Sequence, residues 1–248
     1  MSWNKKPVPL CIPFLIAKKT KPLPVEVIVR GYITGSLWRD FEKGAHTRYG
    51  IPFPEDLKRD QKFDEPIITP TTKAEYGEHD EAISREEIVN GLVNPEIYAK
   101  AEEYALKLFK AGQEWALEKG LILVDTKYEF GIVDGELILV DEVHTPDSSR
   151  YWIAEEYEER FANGESQKML DKENIRQWLL DRGYSGDGTP PEITADIRTQ
   201  LSERYIELYT QLTGNEFETT TGSVEERILD NLKKAGYLKW LPQKAKLY

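Results

Sequence analysis

A single cysteine, Cys11, in 248 residues rules out an internal disulfide framework, and no Cys/His spacing matches a zinc site. A reducing, cytoplasmic setting fits that usage. No apolar run approaches the roughly 18–20 residues that a membrane-spanning helix needs. At the start, Lys5-Lys6 precede an apolar stretch, Val8–Ala17, as they do in a secretory leader. Pro9 and Pro13 interrupt that stretch, however, and Lys18-Lys19 follow it in place of a small-residue cleavage site. Cations are also scarce: 33 Lys and Arg against 44 Asp and Glu give a net charge of −11, so no footprint for a nucleic-acid duplex is present. Gly-rich phosphate loops of the usual kinds, internal repeats and low-complexity segments are likewise missing. An acidic chain that handles phosphates must therefore focus its few cations locally, or use a metal.

What is present reads as a mixed α+β fold: a central antiparallel sheet with flanking helices and a C-terminal helical region. Phe14–Ala17 and Val25–Arg30 read as extended segments divided by a Lys- and Pro-bearing stretch. Residues 31–90, rich in Gly, Pro, Thr and charge, read as ordered functional loops. Pro95–Lys119 is the clearest helix, with Asn94 as N-cap, Pro95 at the first helical position and Gly120 past the end. Tyr98, Ala101, Ala105, Leu108, Phe109 and Trp115 trace its apolar face. Leu121–Asp125 and Leu137–Val143 are short apolar runs of buried-strand type. Between them, Tyr128–Val133 runs into the hairpin signal Asp134-Gly135. From Tyr151 onward the pattern is helical, over Asn174–Arg182, Thr194–Thr213 and Ser223–Ala235, the last opened by a Ser223/Glu226 capping box.

Three clusters carry chemistry. The densest runs from Asp125 through Lys127 and Glu129 to Asp141, Glu142 and Arg150. Carboxylates on rigid strand ends suit a hard cation such as Mg²⁺, which accepts few protein ligands. Lys127 is expected on the opposite side of its strand from Asp125 and Glu129. A two-residue Asp134-Gly135 turn pairs Val133 with Glu136 and sets Glu129 opposite Val140, on the other face from Asp141. A three-residue loop or an equivalent bulge would bring the two carboxylates together. Solvated acids at a hairpin end are the plain alternative, and spacing alone leaves both open. The second cluster delivers Arg30 from a strand into a turn holding Gly35 and Ser36, suited to a planar anion through the guanidinium fork. The third, Thr69–Asp80, contains Lys73, His79 and Asp80; on composition it is an ordinary polar loop. Arg150 and Arg176 read equally well as surface charges.

Taken together, the stretches VEVIVRGYITGS (25–36), TPTTKAEYGEHDE (69–81), LVDTKYEFG (123–131) and LVDEVHTPDSSRYW (139–152) resemble the SAICAR synthetase family in order and spacing. The tail, including ERYIELYTQLTG (203–214), is similar to that family's C-terminal region. The resemblance implies an ATP-dependent ligase of purine biosynthesis that joins L-aspartate to carboxyaminoimidazole ribotide, giving SAICAR, ADP and phosphate. Phosphorylation of the ribotide carboxylate would precede attack by the aspartate amine. Carried over by motif position, Glu129 and Asp141 would bind the Mg²⁺–nucleotide, with Lys127 and Asp125 beside the transferring phosphoryl group. Arg30, Ser36, Arg150 and Arg176 would hold the ribotide, Asp80 and Lys73 would belong to a substrate loop, and backbone near Ala17–Pro22 would face adenine. Small-molecule substrates are the partners so implied, without nucleic acid or membrane.

The sequence departs from the family at its start. No Lys-Val-Arg-Asp-type loop or Asp-Arg-x-Ser-type segment occurs, so most of the family's N-terminal β lobe is expected to be missing. The domain reading is a remnant of that lobe and its hinge strand over 1–22, a central ATP- and substrate-binding domain over 23–150, and a helical region over 151–248. Impaired turnover is the expectation that follows for the chain as written. Two other readings stand beside the ligase: a non-catalytic remnant that binds the ribotide or a partner protein, and a Mg²⁺-dependent kinase-like phosphotransferase.

Overall fold

The computed structural model describes residues 18–47, 49–73, 80–170, 172–186, 188–219 and 222–237. The chain divides into two compact units, Thr20–Glu216 and a second made of Met1–Lys19 with Phe217–Tyr248. In the described part of the second unit, helix α7 (Val224–Lys234) starts at Ser223, whose hydroxyl accepts the Glu226 amide at 3.4 Å.

The larger unit is built on an antiparallel sheet of seven strands among the described residues: β1 (Lys21–Pro22), β2 (Val25–Tyr32), β3 (Lys62–Ile68), β4 (Thr71–Thr72), β5 (Leu121–Val133), β6 (Glu136–Val140) and β7 (Ser149–Ile153). The main order is β1-β5-β2-β3, with β4 on β2 and both β6 and β7 on β5. Strand β5 is thus the spine, a continuous 13-residue strand where two segments were expected. A side chain at Gly131 would lie 2.7 Å from the Thr20 hydroxyl, so the missing Cβ is what lets β1 pair at this point.

One face of the sheet is apolar and carries the core. Val25, Val27 and Val29 of β2, Leu121, Leu123, Tyr128 and Phe130 of β5, and Tyr151 of β7 pack with helix α3 (Pro95–Glu118) through Tyr98, Ala101, Ala105 and Phe109. α3 starts as its sequence dictates: the Asn94 side chain accepts the Glu96 and Ile97 amides, and Gly120 ends the turn at φ 72°. Trp115 departs from the expected apolar face. It is 52% exposed, stacks under Lys119 and donates its indole N–H to Leu212 O of helix α6 (Ala195–Thr213) at 3.0 Å.

Residues 31–90 are more regular than expected. They hold helix α1 (Gly35–Glu42), β3, β4, and a short helix α2 (Arg85–Glu87) that continues as a π turn over Ile88–Leu92. Ser84 and Glu87 make a full capping box there. β7 occupies the point from which helix was expected, and α4 (Tyr157–Asn163) and α5 (Glu173–Leu180) follow it. The expected strand Phe14–Ala17 lies outside the described residues.

The phase of β5 changes along its length. Leu121 and Leu123 face α3, and so do Tyr128 and Phe130, although odd and even positions of a regular strand point to opposite faces. The pairing with β7 slips between Leu123 and Asp125: Leu123 sits opposite Tyr151 and Asp125 opposite Arg150. Val124, which packs with Tyr32, Trp152 and Tyr157, is the extra residue of a β-bulge, so Val124 and Asp125 share the side away from α3. From that point Asp125, Lys127 and Glu129 all leave the core face.

The hydroxyl of Tyr98 is buried in the α3 core without a hydrogen-bond partner among the described residues. Removing an unpaired buried hydroxyl relieves a desolvation cost. Tyr98→Phe is therefore expected to stabilise the protein by about 1 kcal/mol, a rise in Tm of roughly 2–4 °C by calorimetry.

Candidate functional site

The sheet face opposite α3 carries a row of charge fixed by strand register. Arg30 of β2 pairs with Asp125 of β5, which pairs with Arg150 of β7, so the three side chains stand side by side. All three residues are buried. Asp125 Oδ2 accepts from Arg30 at 3.2 Å and from Arg150 at 2.5 Å. Arg30 is held further by Nε donating to Thr69 Oγ1 at 2.8 Å and by its other terminal nitrogen donating to Ser36 Oγ at 3.2 Å. Two guanidiniums share one carboxylate, so the row keeps a net positive charge in a poorly solvated place. An anion that docks there meets preorganised donors at full strength.

A cleft of about 200 Å³ opens on this row. Arg30, Ser36, Asp125, Lys127, Arg150 and Arg176 all line it, so six of the residues expected from sequence meet in one place. Lys172 joins them and donates to Asp147 Oδ1 at 3.0 Å. Gly35, at φ 59°, lies so close under the Arg150 guanidinium that any Cβ would collide with it. Backbone and arginine approach each other because the residue is glycine.

Farther along β5 the charge changes character. The Lys127 ammonium donates to Glu129 at 2.8 Å and to Glu26 at 2.9 Å, and Asp141 stands 3.9 Å away. Lys73 pairs with the other oxygen of Glu129. Lys127 therefore lies on the same side of the strand as Glu129, against expectation, because residues two apart on a strand share a face. Burial disfavours the Lys127 ammonium, but its hydrogen bonds to Glu129 and Glu26 outweigh that and hold the pKa well above the usual lysine range. For Glu129, burial is likewise outweighed, here by Lys127 and Lys73, and the carboxyl titrates below its ordinary value. Glu26 goes the other way: burial dominates and lifts its pKa despite Lys127.

The hairpin settles how Asp141 comes to this group. The turn is the two-residue kind, with Asp134 at φ 53° and Gly135 at φ 82°, Val133 opposite Glu136 and Glu129 opposite Val140. That register alone would send Asp141 to the far face. Instead β6 ends at Val140 and Asp141 enters the left-handed region at φ 65°, which turns its carboxylate back towards Lys127. A single backbone reversal does the work of the bulge that was expected in the loop.

The segment after Asp141 is anchored by His144, itself left-handed at φ 56°. Its Nε2 lies 2.5 Å from Tyr128 Oη, its carbonyl accepts from Tyr151 Oη at 2.7 Å, and its ring presses on Gly112 of α3. Lys73 and Asp80 flank residues 74–79; their stems are joined by Thr72 N donating to Glu81 O at 2.8 Å and by the Thr71–Ala82 bridge. Asp80 is near enough to Glu26 to oppose its ionisation. His79 lies outside the described residues, as does Ala17, while Lys21–Pro22 of the expected hinge forms β1. The sequence does not single out Glu26 or His144, nor does it tie Thr69 to Arg30. Glu26 was nonetheless accessible from sequence, since alternation along β2 places it on the face of Arg30.

No group of three or more His, Cys, Asp or Glu poised to hold a metal occurs among the described residues. Two carboxylates, Glu129 and Asp141, do flank the Lys127 ammonium. Two carboxylates are enough for a Mg²⁺ that draws its remaining ligands from phosphates and water, and such an ion would take Glu129 oxygens that Lys127 and Lys73 hold here.

A family model for SAICAR synthetase matches residues 13–191. A phosphoribosylaminoimidazole-succinocarboxamide synthase of Bacteroides fragilis is 55% identical over 213 residues, which is 84% of this chain and 68% of the relative. The structure of the Saccharomyces cerevisiae SAICAR-synthase complexed with SAICAR is 41% identical with a TM-score of 0.66, over 81% of this chain and 64% of that one. A type-2 SAICAR synthetase in complex with ADP aligns at 28% identity and a TM-score of 0.55, over 81% of this chain and 67% of that one. The chain thus spans roughly two thirds of the length of these relatives.

His144 gives a pH signature. Burial pushes its pKa down from 6.5 to about 4, so it is neutral in the fold at pH 7. Between those values the unfolded chain binds the proton and the folded chain does not, so stability is lost as pH falls from 6.5 towards 4. From pH 7.5 to 5 this amounts to about 2 kcal/mol in urea denaturation. His144→Asn, which tolerates the left-handed backbone, is expected to remove that part of the acid dependence.

Proposed function

Because the chain belongs to the SAICAR synthetase family, we propose that it takes part in purine biosynthesis as the ATP-dependent ligase joining L-aspartate to carboxyaminoimidazole ribotide. The observation that carries this reading is the buried Arg30–Asp125–Arg150 row running into the Lys127–Glu129–Asp141 group along one strand face. A sugar phosphate belongs at the first and phosphoryl transfer at the second. The ribotide phosphate sits against Arg30 and Arg150, with Ser36 and Arg176 at the cleft wall. That orientation points the imidazole carboxylate along β5 towards Lys127. ADP and SAICAR, bound in the two solved relatives, are the products expected here.

In the first step an oxygen of the ribotide carboxylate attacks the γ-phosphorus of ATP, forming a C–O–P link as the bond to ADP breaks. In the second the aspartate amine attacks the activated carbonyl carbon; the C–N bond forms, phosphate leaves and the amine loses a proton. Lys127, kept charged by its two carboxylates, offsets negative charge on the transferring group. Asp125 orients the two arginines. Glu129 and Asp141 would hold Mg²⁺, which when bound neutralises the nucleotide phosphates. Lys73, paired with Glu129, and Asp80 would belong to the loop that contacts the substrates. The reading places the protein in the cytoplasm; no helix among the described residues is long and apolar enough to cross a membrane.

ADP release that is slow for the chain as written, and that requires both the ribotide and L-aspartate, is the expected outcome of a coupled assay. Release that is indifferent to aspartate would identify a kinase instead. Glu129→Gln is expected to weaken Mg²⁺–nucleotide binding by about tenfold or more, the order of one lost charge-assisted ligand. Its circular dichroism should show the fold intact, with a lower melting temperature from the lost ion pairs to Lys127 and Lys73, and unaltered nucleotide affinity would remove Glu129 from the site.

A further inference from the structure

The connection from β6 to β7 makes two left-handed steps, at Asp141 with φ 65° and at His144 with φ 56°. Non-glycine residues rarely adopt that conformation even once, so something must hold the turn. The exposed side chains of the turn do not: Asp141 is 48% exposed and Val143 39%. The brace is His144. Its Nε2 meets Tyr128 Oη at 2.5 Å, and its carbonyl accepts from Tyr151 Oη at 2.7 Å.

Gly112 shows that a place is built for the imidazole. It is buried in the interior of α3, where glycine weakens a helix relative to alanine. A Cβ at this position would collide with Cε1 of His144 and stand 2.8 Å from Nδ1. The helix thus gives up a side chain at the point where the ring lies. Tyr128, the other partner, is the residue of β5 between Lys127 and Glu129. The lock therefore ties the turn that carries Asp141 to the strand that carries Glu129, and so fixes one carboxylate relative to the other.

We infer that His144, clamped by Tyr128 and Gly112, is a positioning residue that sets the Asp141 carboxylate for a small octahedral cation and so favours Mg²⁺ over Ca²⁺. The inference rests on the Mg²⁺ seat of the proposed ligase and names what makes that seat selective. Mg²⁺ demands near-ideal geometry at roughly 2.0–2.1 Å, whereas Ca²⁺ takes oxygens at about 2.3–2.6 Å in flexible settings. A carboxylate on a loose turn serves Ca²⁺ well; one on a locked turn serves Mg²⁺.

The test is calorimetric titration of the whole chain with ADP, in Mg²⁺ and in Ca²⁺, beside hydrogen exchange of the unliganded chain. Tyr128→Phe removes a single oxygen, and His144→Asn removes the ring while tolerating the left-handed backbone. Each is expected to speed amide exchange over residues 142–145. Each should also weaken Mg²⁺–ADP about tenfold and Ca²⁺–ADP by less than about twofold. A general loss of structure would weaken both alike, so the ratio separates positioning from folding. In an Asp141→Asn background, Tyr128→Phe should cost Mg²⁺–ADP nothing more. Faster exchange with an unchanged Mg²⁺ to Ca²⁺ ratio overturns the inference, as does exchange that neither variant alters; the Mg²⁺ seat itself survives both results. Should Asp141→Asn alone leave Mg²⁺–ADP affinity untouched, the seat is misplaced, and the inference falls together with that part of the ligase reading.

Discussion

Val124 and Asp125 point to the same side of β5, opposite a single residue, Arg150, of β7. Through that bulge the strand packs Leu121 and Leu123 under α3, then turns Asp125, Lys127 and Glu129 out to the functional face, while Tyr128 and Phe130 continue the core. A regular strand would do otherwise. Its odd positions would all remain against α3, and three charged side chains would be driven into an apolar core. The cost of such burial without partners is several kcal/mol per group, so the register of the whole sheet depends on the extra residue.

The functional face then has two ends with opposite tasks. At one, two arginines share Asp125 and stay net positive; at the other, Glu26, Glu129 and Asp141 surround Lys127 and Lys73. An acidic protein thereby carries a locally cationic patch and, a few residues along the same strand, a carboxylate-rich one, the pair on which the proposed ligase reading rests. The ion pairs are partly buried, which strengthens them, and each has a second partner, which fixes its geometry. His144 extends the same logic to the loop that carries Asp141. A neutral ring wedged between Tyr128 and Gly112 ties a mobile class of structure, a strand-to-strand connection, to the rigid core.

Much of this was legible in the sequence, for identifiable reasons. Helix α3 declared itself through Asn94, Pro95 and a long apolar stripe, and β2 and the hairpin through β-branched runs and Asp134-Gly135. Arg30, Ser36, Asp125, Lys127, Arg150 and Arg176 stand out in the sequence motifs, and they line one cleft. Other features left weaker marks. β3 ends the main strand order and reads KFDEPII, with a proline that an edge strand tolerates but no clean alternation. α1 has only two buried positions, Leu37 and Phe41, too few to establish a period. β7 contains Tyr151 and Trp152, one facing the α3 core and the other the Tyr32 cluster, so its apolar run carries no period-two signal. The reversal at Asp141 depends on a left-handed non-glycine residue, which local composition does not announce.

On the proposed reading the order of the two ends along β5 sets which way the ribotide lies, and a crystal structure with carboxyaminoimidazole ribotide bound tests that directly. The expected density has the phosphate within hydrogen-bond distance of both Arg30 and Arg150 and the imidazole carboxylate directed towards Lys127. A ribotide lying in the reverse sense, or seated away from the arginine row while that row stays intact, would contradict the account.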